Sequence, residues 1–95
     1  MLYSKANLSF SNFTHADFRN AKLDRSNLVH CDLSGADLSN CNLTNVDLLN
    51  ANLYDANLRG AILHDAKRLS DARVNNGTIF PDGTRKGILN NLSRL

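Results

Sequence analysis

Leucine or phenylalanine recurs every five residues, at positions 8, 13, 18, 23, 28, 33, 38, 43, 48, 53, 58 and 63, twelve times without a slip. A strict period of five excludes both common secondary structures. On an α-helix each step of five rotates the side chain by roughly 140°, which scatters the set around the cylinder. Along a straight strand an odd period throws successive leucines onto opposite faces. The spacing serves one interior only if the chain turns once per five residues and returns each leucine to the same axis.

The other positions of the unit sort by chemistry. Two residues before each Leu or Phe stands a small side chain: Ala6, Ser11, Ala16, Ala21, Ser26, Cys31, Ala36, Cys41, Val46, Ala51, Ala56 and Ala61. These share the interior with the leucines. Between them lies Asn or Asp in ten units of twelve, with Lys22 and Ile62 as exceptions. That position and the last two of each unit face water or form corners, so Asp37→Ala is expected to be nearly silent where Leu38→Asp unfolds the chain. All nine acidic residues are Asp. The helix former Glu is absent and turn formers replace it.

Ala36-Asp37-Leu38-Ser39-Asn40 and Ala51-Asn52-Leu53-Tyr54-Asp55 resemble the A-(D/N)-L-x-x unit of pentapeptide-repeat proteins, and units of this kind fill residues 6–65. The resemblance implies an all-β fold, a right-handed quadrilateral β-helix with four pentads per coil and coils stacked at about 4.8 Å. Residues twenty apart then stack, giving the inward columns Leu8/Leu28/Leu48, Phe13/Leu33/Leu53, Phe18/Leu38/Leu58 and Leu23/Leu43/Leu63, with Tyr3 preceding the last. About three to four coils are near the minimum that can stand, so their ends need covering.

After Asp65 the phase breaks. Leu69 and Val74 stay five apart but shifted by one, and Gly77-Thr78-Ile79-Phe80-Pro81-Asp82-Gly83 echoes Gly60-Ala61-Ile62-Leu63-His64-Asp65-Ala66. The expected organisation is a solenoid over 1–83, regular at 6–65 and degenerate over 66–83, followed by a tail or cap at 84–95. In the degenerate coil Leu69, Val74 and Phe80 point inward and single-residue bulges sit at corners. A short helix over 66–74, stopped by Asn76-Gly77, is the alternative. Pro81-Asp82-Gly83 signals a turn. In the tail Thr84 can cap a short C-terminal helix whose Ile88, Leu89, Leu92 and Leu95 share one face.

Ninety-five residues make one small domain. The formal net charge of +2 hides an asymmetry: residues 1–65 carry five Lys/Arg against seven Asp, and residues 66–95 carry six against two. No apolar run approaches the ~20 residues that span a bilayer, and no signal-peptide core opens the chain, so a cytoplasmic protein without membrane association is expected. Two cysteines without a secretory signal read as free thiols, and the phasing buries both Cys31 and Cys41 on opposite sides of a coil.

Candidate chemistry is sparse. His30-Cys31-Asp32 sets a nucleophile among partners, but the phasing points Cys31 inward and the others outward. His64-Asp65 lies on the side of Asp24 and Arg25 without a nucleophile. His15, His30 and His64 fall on three different sides, which disfavours a shared metal. No catalytic residue, cofactor or metal is therefore assigned. Lys67, Arg68, Arg73, Arg85, Lys86 and Arg94 form a basic cluster without interleaved aromatics, so nucleic acid is not the expected partner. One outward stripe is apolar: Phe10, Val29, Leu49 and, by extension, Leu69.

These features point to a non-enzymatic solenoid acting as a protein-protein interaction or structural module. Its partner is an unidentified protein, or a further copy of the chain meeting it through a solenoid end or the tail. Some pentapeptide-repeat proteins resemble B-DNA in shape and charge and bind type II topoisomerases, which supplies the alternative function. An enzyme stands a distant third.

Overall fold

The structure, a computed structural model, describes residues 4–85. Within them the chain is a β-solenoid with little extended strand, because each pentad contributes a single paired residue, the one at the Asn/Asp position. Nine parallel pairings, from Asn7 with Asn27 to Asp47 with Lys67, join residues twenty apart. Four pentads thus pass before the chain stacks on itself.

Pentad 36–40 shows where the backbone hydrogen bonds go. The Ala36 N–H closes the preceding corner on the Leu33 carbonyl (3.0 Å), and the Asp37 N–H reaches back to Ala16 (2.9 Å). The Leu38 and Asn40 N–H groups reach forward to the carbonyls of Asn57 (2.7 Å) and Arg59 (2.9 Å). The fifth donor, the Ser39 N–H, goes to the Asp37 carboxylate at 3.0 Å, which also accepts the Ser39 hydroxyl at 2.7 Å. The same side-chain cap recurs at Asn7, Asn12, Asp17, Asn27, Asp32, Asn42, Asp47, Asn52 and Asn57. It is present in every unit that carries Asn or Asp and missing at Lys22 and Ile62. The position is therefore a backbone cap as well as an outward residue, which corrects the expectation that Asp37→Ala is silent.

Each corner is a β-turn whose second central residue has positive φ, between 55° and 73° from Lys5 to Asp65. Positive φ at that place alone is the requirement of a type II turn. Asn, Asp and Gly, which tolerate it, fill eight of these thirteen corners. The corner side chains lean over the next circuit. A Cβ at Gly60 would strike the Asn40 side-chain oxygen, and one at Gly35 would strike the His15 ring.

The interior follows the columns. Leu23, Leu28, Leu33, Leu38, Leu43, Leu48, Leu53 and Leu58 are fully buried, with the small residues between them. The first circuit is looser: Leu8, Phe13 and Ala16 are only partly buried, and the Phe13 and Phe18 rings pack edge to face at 5.1 Å. Among the described residues no buried side-chain N or O atom lacks a partner.

Beyond Lys67 the winding continues with two one-residue insertions. Arg68 takes a left-handed conformation (φ 54°) and Leu69–Asp71 form a single 3-10 turn, so Arg73 pairs with Asn52 at a separation of twenty-one. Asn75-Asn76-Gly77 adds the second, and Ile79 pairs with Asn57 at twenty-two. Leu69, Ala72 and Phe80 are buried and Val74 partly so. The helix considered over 66–74 shrinks to that three-residue turn. Thr78 takes a small-residue position, buried, with its hydroxyl donating to the Leu53 carbonyl at 2.7 Å. Phe80 thus belongs with Leu58, and the resemblance of 77–83 to 60–66 is not the structural register. Bonds from Gly83 N–H to Phe80 (2.8 Å) and from Phe80 N–H to Thr84 (2.9 Å) close the turn at Pro81-Asp82-Gly83. Tyr3 and the helix expected in the tail lie outside the described residues.

Leu38→Asp should abolish folding because it buries an unpaired charge. Asp37→Ala should cost about 1 kcal/mol, the net worth of a lost cap bond. Gly60→Ala should destabilise by more than the ~0.5 kcal/mol typical of surface changes, because a Cβ there meets both positive φ and Asn40. Urea melts followed by circular dichroism measure all three.

Candidate interaction surfaces

Side chains that carry chemistry are mostly committed to the wall. Cys31 and Cys41 are free, buried thiols. Cys31 donates its S–H to the Leu8 carbonyl at 3.2 Å. Burial pushes the Cys31 thiol up to about 11 and the Cys41 thiol up to about 12, the reverse of what a nucleophile needs. His30, Cys31 and Asp32 are not brought together: the His30 ring stacks on Phe10, Cys31 points inward, and Asp32 caps the Ser34 N–H. Among the described residues the His64 side chain is paired with Asp65, at 3.2 Å on the open surface. Among the described residues no three His, Cys, Asp or Glu side chains converge as a metal site.

The carboxylates are tied to local donors. The Arg19 guanidinium, with the Arg19 N–H, brings Asp17 down to about 2. The Ser4 hydroxyl, bonded at 2.6 Å, lowers Asp24, and the Ser34 and Thr84 backbone N–H groups lower Asp32 and Asp82. Arg19, Arg25 and Arg68 pair with Asp17, Asp24 and Asp47 at 2.8, 3.3 and 2.6 Å. Arg73 lies over the Tyr54 ring at 4.9 Å and donates to its hydroxyl at 3.3 Å. The described part of the basic cluster is thus partly neutralised by its own neighbours; Lys86 and Arg94 lie outside the described residues.

The apolar stripe survives in altered form. Phe10 is 73% exposed and its ring stacks on His30 at 4.9 Å and 9°. Val29 and Leu49 are half-buried. Leu69 does not belong to the stripe: the insertion after Arg68 breaks the twenty-residue offset and turns it into the core. Ile62, 50% exposed, is a second apolar spot, on another side. It replaces an Asn/Asp cap, a signal visible as a break in the repeat but not weighed as a surface feature. The candidate capping residues Ile88, Leu89, Leu92 and Leu95 lie outside the described residues.

A chain that turns at every fifth residue and stacks residues twenty apart is a repeat solenoid. Its sequence matches the family described as pentapeptide repeats, in eight copies over residues 4–40 and 31–67. The chain belongs to the pentapeptide-repeat family. HetL, a pentapeptide repeat protein involved in heterocyst differentiation regulation from the cyanobacterium Nostoc sp. strain PCC 7120, is 35% identical, with a TM-score of 0.54 over 87% of this chain. The chain spans 40% of the length of HetL. The pentapeptide repeat protein alr5209 from Nostoc PCC 7120 is 33% identical, with a TM-score of 0.49 over 81% of this chain and 78% of its own. QnrB1, a plasmid-mediated fluoroquinolone resistance protein, is 21% identical, with a TM-score of 0.44 over 75% of this chain and 39% of its own. No curated protein matches the sequence. No helix among the described residues is long and apolar enough to cross a membrane.

Asp17, Asp24, Asp32 and Asp82 are lowered in the folded state, so their stabilisation is complete above the ordinary carboxylate value near 3.9 and disappears as pH falls through the folded values. The melting temperature should stay level from about pH 7 to pH 5 and fall below about pH 4. A scan of thermal melts against pH reads this. Both thiols should react with a thiol reagent only as fast as the protein opens, and a denaturant should release two equivalents at once.

Proposed function

We propose that the chain is a non-enzymatic binding or structural module whose docking surface is the corner carrying Phe10, Val29 and Leu49. The carrying observation is the chemistry of that corner. The residue after each inward Leu or Phe is Thr14, Ser34 and Tyr54 on the next side, Arg19, Ser39 and Arg59 on the third, and Asp24, Thr44 and His64 on the fourth. Only the first side carries aliphatic residues there, beside the most exposed aromatic of the wall. We read the winding as right-handed, with three regular circuits and an irregular fourth. The tail at 84–95, whose Ile88, Leu89, Leu92 and Leu95 lie outside the described residues, is proposed as the cover of either that corner or the last circuit. Buried reduced thiols suit a cytoplasmic setting.

The alternative, a DNA-mimicking binder of a type II topoisomerase, needs a continuous acidic face. Asp17, Asp24 and Asp47 lie on three different sides and each pairs with an arginine, which argues against such a face. The protein should therefore leave the supercoiling activity of a gyrase unchanged.

Immobilised protein should retain a specific partner from lysate of the source organism, and Val29→Ser with Leu49→Ser should release it while the circular dichroism spectrum stays the same. Equal retention by both forms would overturn the docking role. Deleting residues 84–95 should raise the fluorescence of a dye for apolar surface; an unchanged signal would remove the tail as a cover.

A further inference from the structure

Asn76-Gly77 stands where the second insertion enters the irregular circuit, and it is the sequence's one Asn-Gly pair. An asparagine side chain can react with the backbone nitrogen of the residue that follows it, so whatever holds that nitrogen controls the reaction. At capping asparagines such as Asn42 and Asn52 the following N–H is bonded to a carbonyl one circuit on, Leu43 to Ile62 and Leu53 to Arg73, both at 2.7 Å. Their side-chain oxygens are occupied as well, by the Thr44 and Tyr54 N–H groups. At the corner asparagines Asn20, Asn40, Asn45 and Asn50 the following N–H closes the turn, as Cys41 does on the Leu38 carbonyl at 3.1 Å.

Asn76 differs on both counts. Its side chain is exposed and makes no hydrogen bond among the described residues. The Gly77 N–H is held by a side chain alone, the Asn75 Oδ1 at 3.1 Å. That oxygen also accepts the Asp55 N–H at 3.0 Å, and the Asn75 Nδ2 donates to Asp55 Oδ1 at 3.3 Å, so the Asn75 amide itself is fixed. The wall requires the glycine, because a Cβ at 77 would strike the Asp55 carboxylate. The missing side chain also leaves the Gly77 nitrogen open to close approach.

We propose that Asn76 is a deamidation site of the folded protein, restrained by the Asn75 clamp. The proposal is independent of the docking corner. When the Gly77 N–H leaves Asn75 and gives its proton to hydroxide from solvent, the nitrogen attacks Cγ of Asn76. The N–Cγ bond forms as the Cγ–Nδ2 bond breaks, and the amide departs as ammonia after taking a proton from water, which returns the hydroxide. A water molecule then opens the succinimide at either carbonyl, leaving aspartate or isoaspartate at 76. One water is consumed, one ammonia is released, and nothing is oxidised or reduced.

Either product adds negative charge at the corner where Gly77 lies against Asp55. Isoaspartate also routes the backbone through an extra carbon between Asn75 and Gly77, just before the residues that hold the irregular circuit. Thr78 is bonded to the Leu53 carbonyl, Ile79 pairs with Asn57, and Phe80 is buried. The damage therefore falls on the irregular circuit and leaves the regular ones intact.

Incubating the 95-residue protein at mildly alkaline pH, well below its melting temperature, and mapping its peptides by mass spectrometry reads the reaction. The mass gain of amide-to-acid conversion should appear at Asn76 before any other described asparagine. Asn75→Ala should speed it about five-fold in the folded state, the kinetic equivalent of one released hydrogen bond, and leave the rate in urea unchanged. The isoaspartyl form should melt below Asn76→Asp, which carries the charge without the longer backbone. A folded protein that stays unreacted at Asn76 while the chain in urea reacts, an earlier gain at a capping asparagine, or an equal acceleration by Asn75→Ala in urea would overturn the proposal. If Asn75→Ala does not fold, the order in which the asparagines of the unaltered protein react decides alone.

Discussion

The destination of one backbone N–H per pentad governs this molecule. A wall that turns every five residues must satisfy five N–H groups in each unit, and a buried or crowded backbone donor left without a partner costs free energy comparable to a lost hydrogen bond. The chain itself takes four: one closes the corner and three cross to neighbouring circuits, as pentad 36–40 shows. The fifth needs a short side-chain acceptor two residues back along the chain, and Asn or Asp supplies it. Glu is one methylene longer and forms this local ring poorly. That geometry accounts for Asp rather than Glu at Asp17, Asp32, Asp37, Asp47 and Asp82, while Asp55 and Asp65 serve as positive-φ corners.

Once that donor is satisfied, the remaining regularities follow. The corner residue adopts positive φ, its side chain leans over the next circuit, and what stands there must leave room. Gly35 lies under the His15 ring, Gly60 under the Asn40 amide and Gly77 under the Asp55 carboxylate. Each of these glycines therefore answers a particular side chain of the preceding circuit. The last circuit shows how far the pattern can stretch. It absorbs a 3-10 turn at Leu69–Asp71 and an extra residue near Asn76, yet still delivers Arg73 and Ile79 to their pairings and Leu69 and Phe80 to the core.

The inward columns were legible because burial writes itself as a period: Leu23 to Leu58 and the small residues between them lie where spacing alone puts them. The capping role of Asp37 was not legible. A carboxylate bonded to its own backbone and one bonded to water leave the same mark in a sequence, and only the geometry of the Ser39 N–H separates them. The enrichment of Asn, Asp and Gly at corners such as Asn40 and Gly60 was a readable signal of positive φ that period-counting passed over. Leu69 was read both inward, where it lies, and as an extension of the outward stripe, and the second reading fails for a different reason. The stripe was extended by a twenty-residue offset across a phase break, and an offset has no meaning once a residue has been inserted. At the site, Phe10 was readable as exposed, but the half-burial of Val29 and Leu49 depends on neighbours that no local pattern reveals.

Where function can reside follows from which positions the wall does not use. The small residue and the Leu or Phe fill the interior, the Asn or Asp closes the backbone, and the fifth residue is restricted by its positive φ. Only the residue after the inward leucine is free of all three duties, as Ser9, Val29 and Leu49 are on the first side. Departures from the rules at the other positions carry a stability cost that must be offset elsewhere. Phe10 accepts positive φ where Asn or Gly would be easier, and Ile62 gives up the cap that the His64 N–H would otherwise receive. Among the described residues these two are the large apolar side chains left exposed. The proposed docking corner is the use in which an exposed phenylalanine held at positive φ would gain a return for its cost.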